Sequence, residues 1–195
     1  AAILLRCLRL LGVDVRFYVP HRIDEGYGLN DGALRTLARE GVRTVVTVDC
    51  GVASVNEAAT ARELGLRLVI TDHHLMADRL PDAAAIVHPQ LPAEEGRQYP
   101  FTGLCGAAVA FKLAWALCQR AGQTTQQNGV RRVSERMRKF LLQATGLAAI
   151  GTVADVVPLV DENRILVRHG LAALRHSPVV GFAALEEVAQ LRKKP

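Results

Sequence analysis

The chain has no run of about 18 apolar residues, the length at which a helix begins to suit a bilayer. Its longest apolar stretch, residues 103–117, is broken by Lys112 and by glycines, so no membrane-spanning helix is expected. No basic n-region followed by a cleavage site opens the sequence, so no secretory signal is expected either. A C-x-x-C pair is also missing. The four cysteines, Cys7, Cys50, Cys105 and Cys118, stand singly in apolar surroundings and read as buried thiols of a cytoplasmic protein. Internal repeats are absent. Half of the residues are hydrophobic and 22% are charged, which excludes disorder as the overall state. A length of 195 residues fits one large domain or one and a half small ones.

The formal net charge is +5, and 20 of the 24 basic residues are arginine. Arginine favours bidentate contacts to phosphate and carboxylate, so the balance leans towards a polyanionic partner. Base composition of the gene is the competing explanation for an Ala- and Arg-rich chain.

Both termini read as interior segments. Ala1, Leu4, Leu5, Leu8 and Leu11 recur at helical spacing, with Arg6 and Arg9 on the other face and Gly12 as the stop. That helix has an end without a start. Residues 186–194 read as a helix running into Pro195. The expectation is a fragment truncated at both ends, whose site is incomplete.

Between the ends, strand and helix signals alternate. Residues 13–19 alternate apolar and polar and read as a strand. Residues 31–40 read as a helix, 44–48 (TVVTV) as a buried parallel strand, and 54–64 as a helix with Ser54 and Glu57 as a capping box. Residues 66–70 and 84–87 read as two more strands. This order predicts an α/β fold: a parallel sheet flanked by helices with right-handed crossovers, followed by a helical segment. Apolar residues 103–121 read as a buried helix, 122–129 (GQTTQQNG) as an exposed loop, and 134–150 and 163–174 as further helices. The loop divides a parallel α/β part, 1–121, from a helical continuation of the same domain, 122–195.

The polar residues that stand out lie at strand ends. Asp49 follows TVVTV directly, and Asp72, His73 and His74 follow LRLVIT directly. One helix and one strand separate them, which places both groups at the carboxyl ends of parallel strands, where α/β sheets bind ligands. A strand-end Asp is also an ordinary turn former, and paired histidines are often loop residues; their joint occurrence at one edge argues for a shared site. Neighbouring side chains on an extended segment point to opposite faces. At most one of the two histidines is therefore expected on the ion held by Asp49, with the other facing substrate or solvent.

Asp155, in Gly151-Thr152-Val153-Ala154-Asp155-Val156-Val157-Pro158, follows the 134–150 helix. A carboxylate at a helix C-terminus meets the negative end of the dipole, at about 0.3–1 kcal/mol. Apolar neighbours suggest partial burial, which calls for a partner: a divalent cation, or an arginine such as Arg164. Carboxylates and imidazole without thiolate suit Mn2+ or Mg2+ better than structural zinc. Such ions beside a basic surface suggest phosphodiester hydrolysis.

Val48-Asp49-Cys50-Gly51, Thr71-Asp72-His73-His74 and Gly151 through Leu159 together resemble the DHH phosphoesterase superfamily, and in order and spacing its RecJ-type exonucleases. Val19-Pro20-His21-Arg22, Gly26-Tyr27-Gly28-Leu29 and Gly103-Leu104-Cys105-Gly106 add to the resemblance, which covers nearly the whole chain. It implies a metal-dependent, single-stranded-DNA-specific 5′→3′ exonuclease of DNA repair and recombination, with a two-ion site. Asp49 matches the bridging carboxylate, while His73 and Asp155 match ligands of one ion. His74 matches the histidine facing the scissile phosphate, and Asp72 a residue that orients the site. The family's aspartate-rich first motif would lie just before Ala1. The isolated chain is therefore expected to bind Mn2+ poorly and to cleave nothing.

Arg22 is expected on the sheet edge of Asp49, and Tyr27, between Gly26 and Gly28, could stack on a base of the DNA. Arg131, Arg132, Arg136, Arg138 and Lys139 cluster at a helix start, where cations are disfavoured. They read as a solvated basic face or a contact to an outside anion. His88, His169 and His176 read as structural or exposed. Two other functions remain open: a DHH phosphodiesterase acting on oligoribonucleotides or cyclic dinucleotides, and a non-catalytic DHH-like DNA-binding or scaffold protein.

Overall fold

The computed structural model describes residues 1–92, 96–122, 126–127, 130–131, 133–176 and 179–191. Its centre is a three-stranded parallel sheet of β1 (Thr44–Val46), β2 (Arg67–Thr71) and β3 (Ala85–Val87), in that spatial order. Thr44 pairs with Arg67 and Val69 with Ala85. Alternation along the strands assigns their side chains to two cores. Val45, Leu68, Ile70 and Ile86 join one, built with α2 (Asp31–Arg39) and α3 (Val55–Glu63). Val46, Val48 and Val87 join the other, built with α1 (Ala2–Leu10), α4 (Gly106–Ala121), α5 (Glu135–Ala154) and α6 (Asp161–His176). Helices thus cover both faces of the sheet, as a parallel sheet requires. The last helix, α7 (Val180–Val188), has no buried residue.

Several expectations need correction. Residues 13–19 form no strand: Val13, Phe17, Tyr18 and Val19 are exposed and lack a ladder partner. Alternation supplies only a propensity, and pairing decides. Ser54 sits at the start of α3 without a side-chain cap bond, so the capping box is not formed. The loop expected at 122–129 contains β4 (Gln126–Gln127), which pairs antiparallel with β5 (Val130–Arg131). The helix expected to stop at 150 continues through Gly151 to Ala154, which makes Asp155 its C-cap. The final helix lies earlier than 186–194, and residues 192–195, like Arg132, fall outside the described residues. Cys7, Cys105 and Cys118 are buried, but Cys50 is only half-buried. Among the described residues no helix is long and apolar enough to cross a membrane.

Candidate metal centre

Ladder bonds continue past the formal end of β1, from Thr47 N–H to the Val69 carbonyl and from Asp49 N–H to the Thr71 carbonyl, both 2.9 Å. Asp49 is thereby pinned beside the end of β2. Its backbone takes the left-handed conformation, φ 68°, and the Thr47 hydroxyl closes the turn by donating to the Cys50 carbonyl at 2.7 Å. Aspartate tolerates this region better than most residues, and such strain concentrates at functional sites. The turn aims the Asp49 carboxylate at α4. There Gly106 leaves room for it, because a Cβ at that position would overlap the carboxylate.

Asp72 follows β2 and is buried, yet its carboxylate is fully engaged. One oxygen accepts from Val52 N–H at 2.9 Å. The other accepts from the N–H groups of His73 and His74, at 2.8 and 3.3 Å, and from His74 Nδ1 at 2.6 Å. Burial alone would push this carboxyl up; the Val52 N–H, the His74 ring and the two further N–H groups outweigh it and hold the carboxyl below its ordinary value. Since an ionised carboxylate only accepts, His74 Nδ1 is the donor and the ring's Nε2 is left for other contacts. His88 braces the same loop from below. Its Nδ1 accepts from Gln90 N–H, so Nε2 carries the proton and donates to the His74 carbonyl at 2.9 Å.

The two histidines do not point to opposite faces. The chain has left the strand at this point, and the rings lie side by side, centroids 4.4 Å apart. Their ligand atoms nevertheless separate: His74 turns Nδ1 back to Asp72, while His73 presents Nε2 to Asp49 Oδ1 at 3.1 Å and to Asp155 Oδ2 at 3.4 Å. Asp155 comes from the C-cap of α5 and is more exposed than expected. Its charged neighbour is His73, not Arg164. The Asp49 carboxylate raises the His73 pKa; burial opposes this, and Asp155 adds to the rise.

One ligand atom from each of Asp49, Asp72, His73 and His74 lies within 4.8 Å of all the others. Asp72 is the weakest donor of the four, because its oxygens are already bonded. Asp49 Oδ1 and His73 Nε2 differ: both are buried, and although they make an ion-pair contact at 3.1 Å, neither has an aligned hydrogen-bond partner among the described residues. Two buried donor atoms converging without bonding to each other are suited to a third body. Carboxylate oxygen plus imidazole nitrogen fits a hard or borderline divalent cation.

Tyr27 and Arg22 flank this centre. The Tyr27 hydroxyl donates to the Asp49 carbonyl at 3.1 Å, its ring meets His74 edge-on at 6.3 Å, and the Arg22 guanidinium lies 5.6 Å from the ring centre. Both side chains are exposed. Arg22 therefore reaches the expected edge although the strand that was to carry it does not form. His169 and His176 are exposed on α6, remote from these contacts. The role of Gly106 escaped sequence reasoning, whereas His88, expected to be structural or exposed, is buried and structural. A glycine opening a long helix-forming run was the one available signal, while the partner of His88, the His74 carbonyl across β3, was not marked in the sequence.

Residues 1–152 match the DHH family, N-terminal domain. The single-stranded-DNA-specific exonuclease RecJ of Bacillus subtilis (strain 168) is 44% identical over 184 residues, covering 94% of this chain and 21% of that protein. The protein of that name from Thermus thermophilus is 38% identical over 187 residues, covering 95% of this chain and 25% of its own length. A crystal structure of exonuclease RecJ bound to manganese superposes with a TM-score of 0.76 at 36% identity, over 96% of this chain and 43% of that one. The chain thus spans about a fifth to a third of the curated relatives it matches. With residues 1–152 matched, a span that includes Asp49 and the paired histidines, the chain belongs to the DHH family.

Proposed function

We propose that this chain is the ion-binding part of a metal-dependent exonuclease that hydrolyses single-stranded DNA, with Asp49, His73 and Asp155 as protein ligands. The observation that carries this reading is the convergence of Asp49 Oδ1 and His73 Nε2, buried and unbonded, beside Asp155. The relatives' shared activity and the manganese in the solved neighbour support Mn2+ as the working ion. Divalent cations in such a site supply charge stabilisation to the attacking and leaving oxygens of an in-line displacement at phosphorus.

The chain's own residues do the positioning. Asp72 fixes the tautomer of His74, so that the exposed edge of that ring can face a phosphate. Tyr27 and Arg22 form a stacking and charged lip over the centre, suited to a terminal nucleotide. The 5′→3′ direction belongs to the same proposal.

Electron paramagnetic resonance of Mn2+ titrated into the chain tests the reading. A weak site is expected, and Asp49→Ala or His73→Ala should abolish it. In a chain extended to the length of the curated relatives, Asp49→Ala should also abolish Mn2+-dependent release of nucleotides from single-stranded DNA. Undiminished Mn2+ binding by both variants would falsify the assignment.

A further inference from the structure

A second charged feature lies between α1 and α5. It is a cleft of about 330 Å³ lined by Arg6 and Arg9 of α1 and Arg136 and Lys139 of α5, over an apolar floor of Leu10 and Phe140. Each cationic pair is spaced i, i+3, so each helix turns two charges to the same side. Among the described residues no carboxylate lines the cleft. Arg138, one residue from this set, has Glu135 at 3.6 Å, whereas Arg136 and Lys139 are exposed and have no anionic partner among the described residues.

Arg6 is the more telling residue. Its Nη2 donates to Gln143 Oε1 at 2.6 Å, and its guanidinium lies 5.9 Å from the Phe140 ring centre. Its Nη1 is buried without a partner. A buried guanidinium N–H left unpaired is costly, as are four like charges around one cleft, two of them near the positive end of α5. An anion bound in the cleft would relieve all three costs. Gln143 is about 18 Å along α5 from Asp155 at 1.5 Å per residue, so the cleft is separate from the metal centre but carried by the same helix.

We propose that this cleft is a phosphate-binding track that holds the backbone of a single DNA strand engaged at the metal centre. The anion site stands on the four cations and the orphaned Arg6 nitrogen. The identity of the anion as DNA rests on the nuclease reading above. Two cationic pairs facing one cleft from two helices, three of the four being arginine, suit a series of phosphates better than one isolated carboxylate.

The test is fluorescence anisotropy of a labelled oligothymidylate, in EDTA to prevent hydrolysis, across a salt series. Arg136→Glu/Lys139→Glu changes only exposed side chains and should weaken binding about tenfold or more. The log K against log salt slope should become shallower by about 1.4, from two phosphate contacts at about 0.7 each. Arg6→Lys keeps the charge but loses the fork and should weaken binding less. Unchanged affinity and slope in the double variant overturn the proposal. So does a double variant that loses binding of a polyglutamate peptide while keeping DNA, which would make the cleft a peptide site. Mn2+ binding by the double variant should equal that of wild type. If Asp49→Ala leaves Mn2+ binding intact while the double variant loses DNA, the metal assignment fails and the cleft stands.

Discussion

Gly106 shows how one missing atom decides the geometry of the centre. A Cβ there would overlap the Asp49 carboxylate and approach its Cβ, so the carboxylate could not stay beside His73. Alanine is otherwise the better helix former, and overpacking costs about 1–3 kcal/mol. Gly106→Ala should therefore lower Mn2+ affinity more than tenfold while the melting temperature moves only a few degrees; unchanged affinity in the titration would count against the placement of Asp49. Val156, just past the Asp155 C-cap, presents the opposite case. A β-branched residue occupies φ 57°, where glycine is the usual choice, and its side chain is 87% exposed. Val156→Gly gives up little burial and relieves about 1 kcal/mol of strain, so thermal denaturation should show a rise of about 2–4 °C. A fall in melting temperature would mean that Val156 makes contacts worth more than its strain.

At the scale of elements, Asp155 reaches the sheet edge because three helices pack unusually close. Gly151 of α5 lies against the Ala107 methyl of α4, one turn before Asp155. Gly170 of α6 lies against Ala149 and the Thr145 carbonyl of α5. Asn163 then ties the ends of the helices together. Buried at the start of α6, it donates through Nδ2 to the Gly103 carbonyl, ahead of α4, at 2.7 Å, and to the Pro158 carbonyl, beyond α5, at 3.0 Å. Glu162 adds an ion pair to Lys112 at 2.7 Å and accepts from the Tyr99 hydroxyl at 2.6 Å. Losing both Asn163 bonds leaves two carbonyls unpaired, so Asn163→Ala should cost about 2–3 kcal/mol in chemical denaturation. It should also loosen the Asp155 loop and weaken Mn2+ binding. A variant that loses stability alone would restrict Asn163 to folding.

For the whole molecule, a cation bound only by the folded state must raise stability. At a free Mn2+ concentration a hundred times Kd the gain is about 2.7 kcal/mol, several degrees for a chain of this size. Wild type should show that rise and Asp49→Ala should not; equal shifts in a thermal melt would place the ion elsewhere. The α/β order and the strand-end positions of Asp49, Asp72 and His73 were legible along the chain, because β-branched runs and helix spacing report burial locally. In the structure β1 and β3 divide their apolar side chains between the two cores, Val45 and Ile86 on one side and Val46 and Val87 on the other. Residues 13–19 carried the same alternation without becoming a strand, because no neighbour among the described residues offers them a ladder. The side-by-side histidines and the space at Gly106 were not legible either, while the approach of Asp155 to His73 was expected only through the resemblance, which made them ligands of one ion. The histidines lie side by side because the chain has left the strand there, whereas the Gly106–Asp49 and Asp155–His73 approaches join segments far apart in sequence, and only packing fixes such distances. The sequence by itself therefore determined which chemistry-bearing groups stand at which ends of the elements. The tertiary structure alone decided that Asp49 and His73 meet as buried, unbonded atoms, because that convergence is set by how closely α4 and α5 approach the sheet.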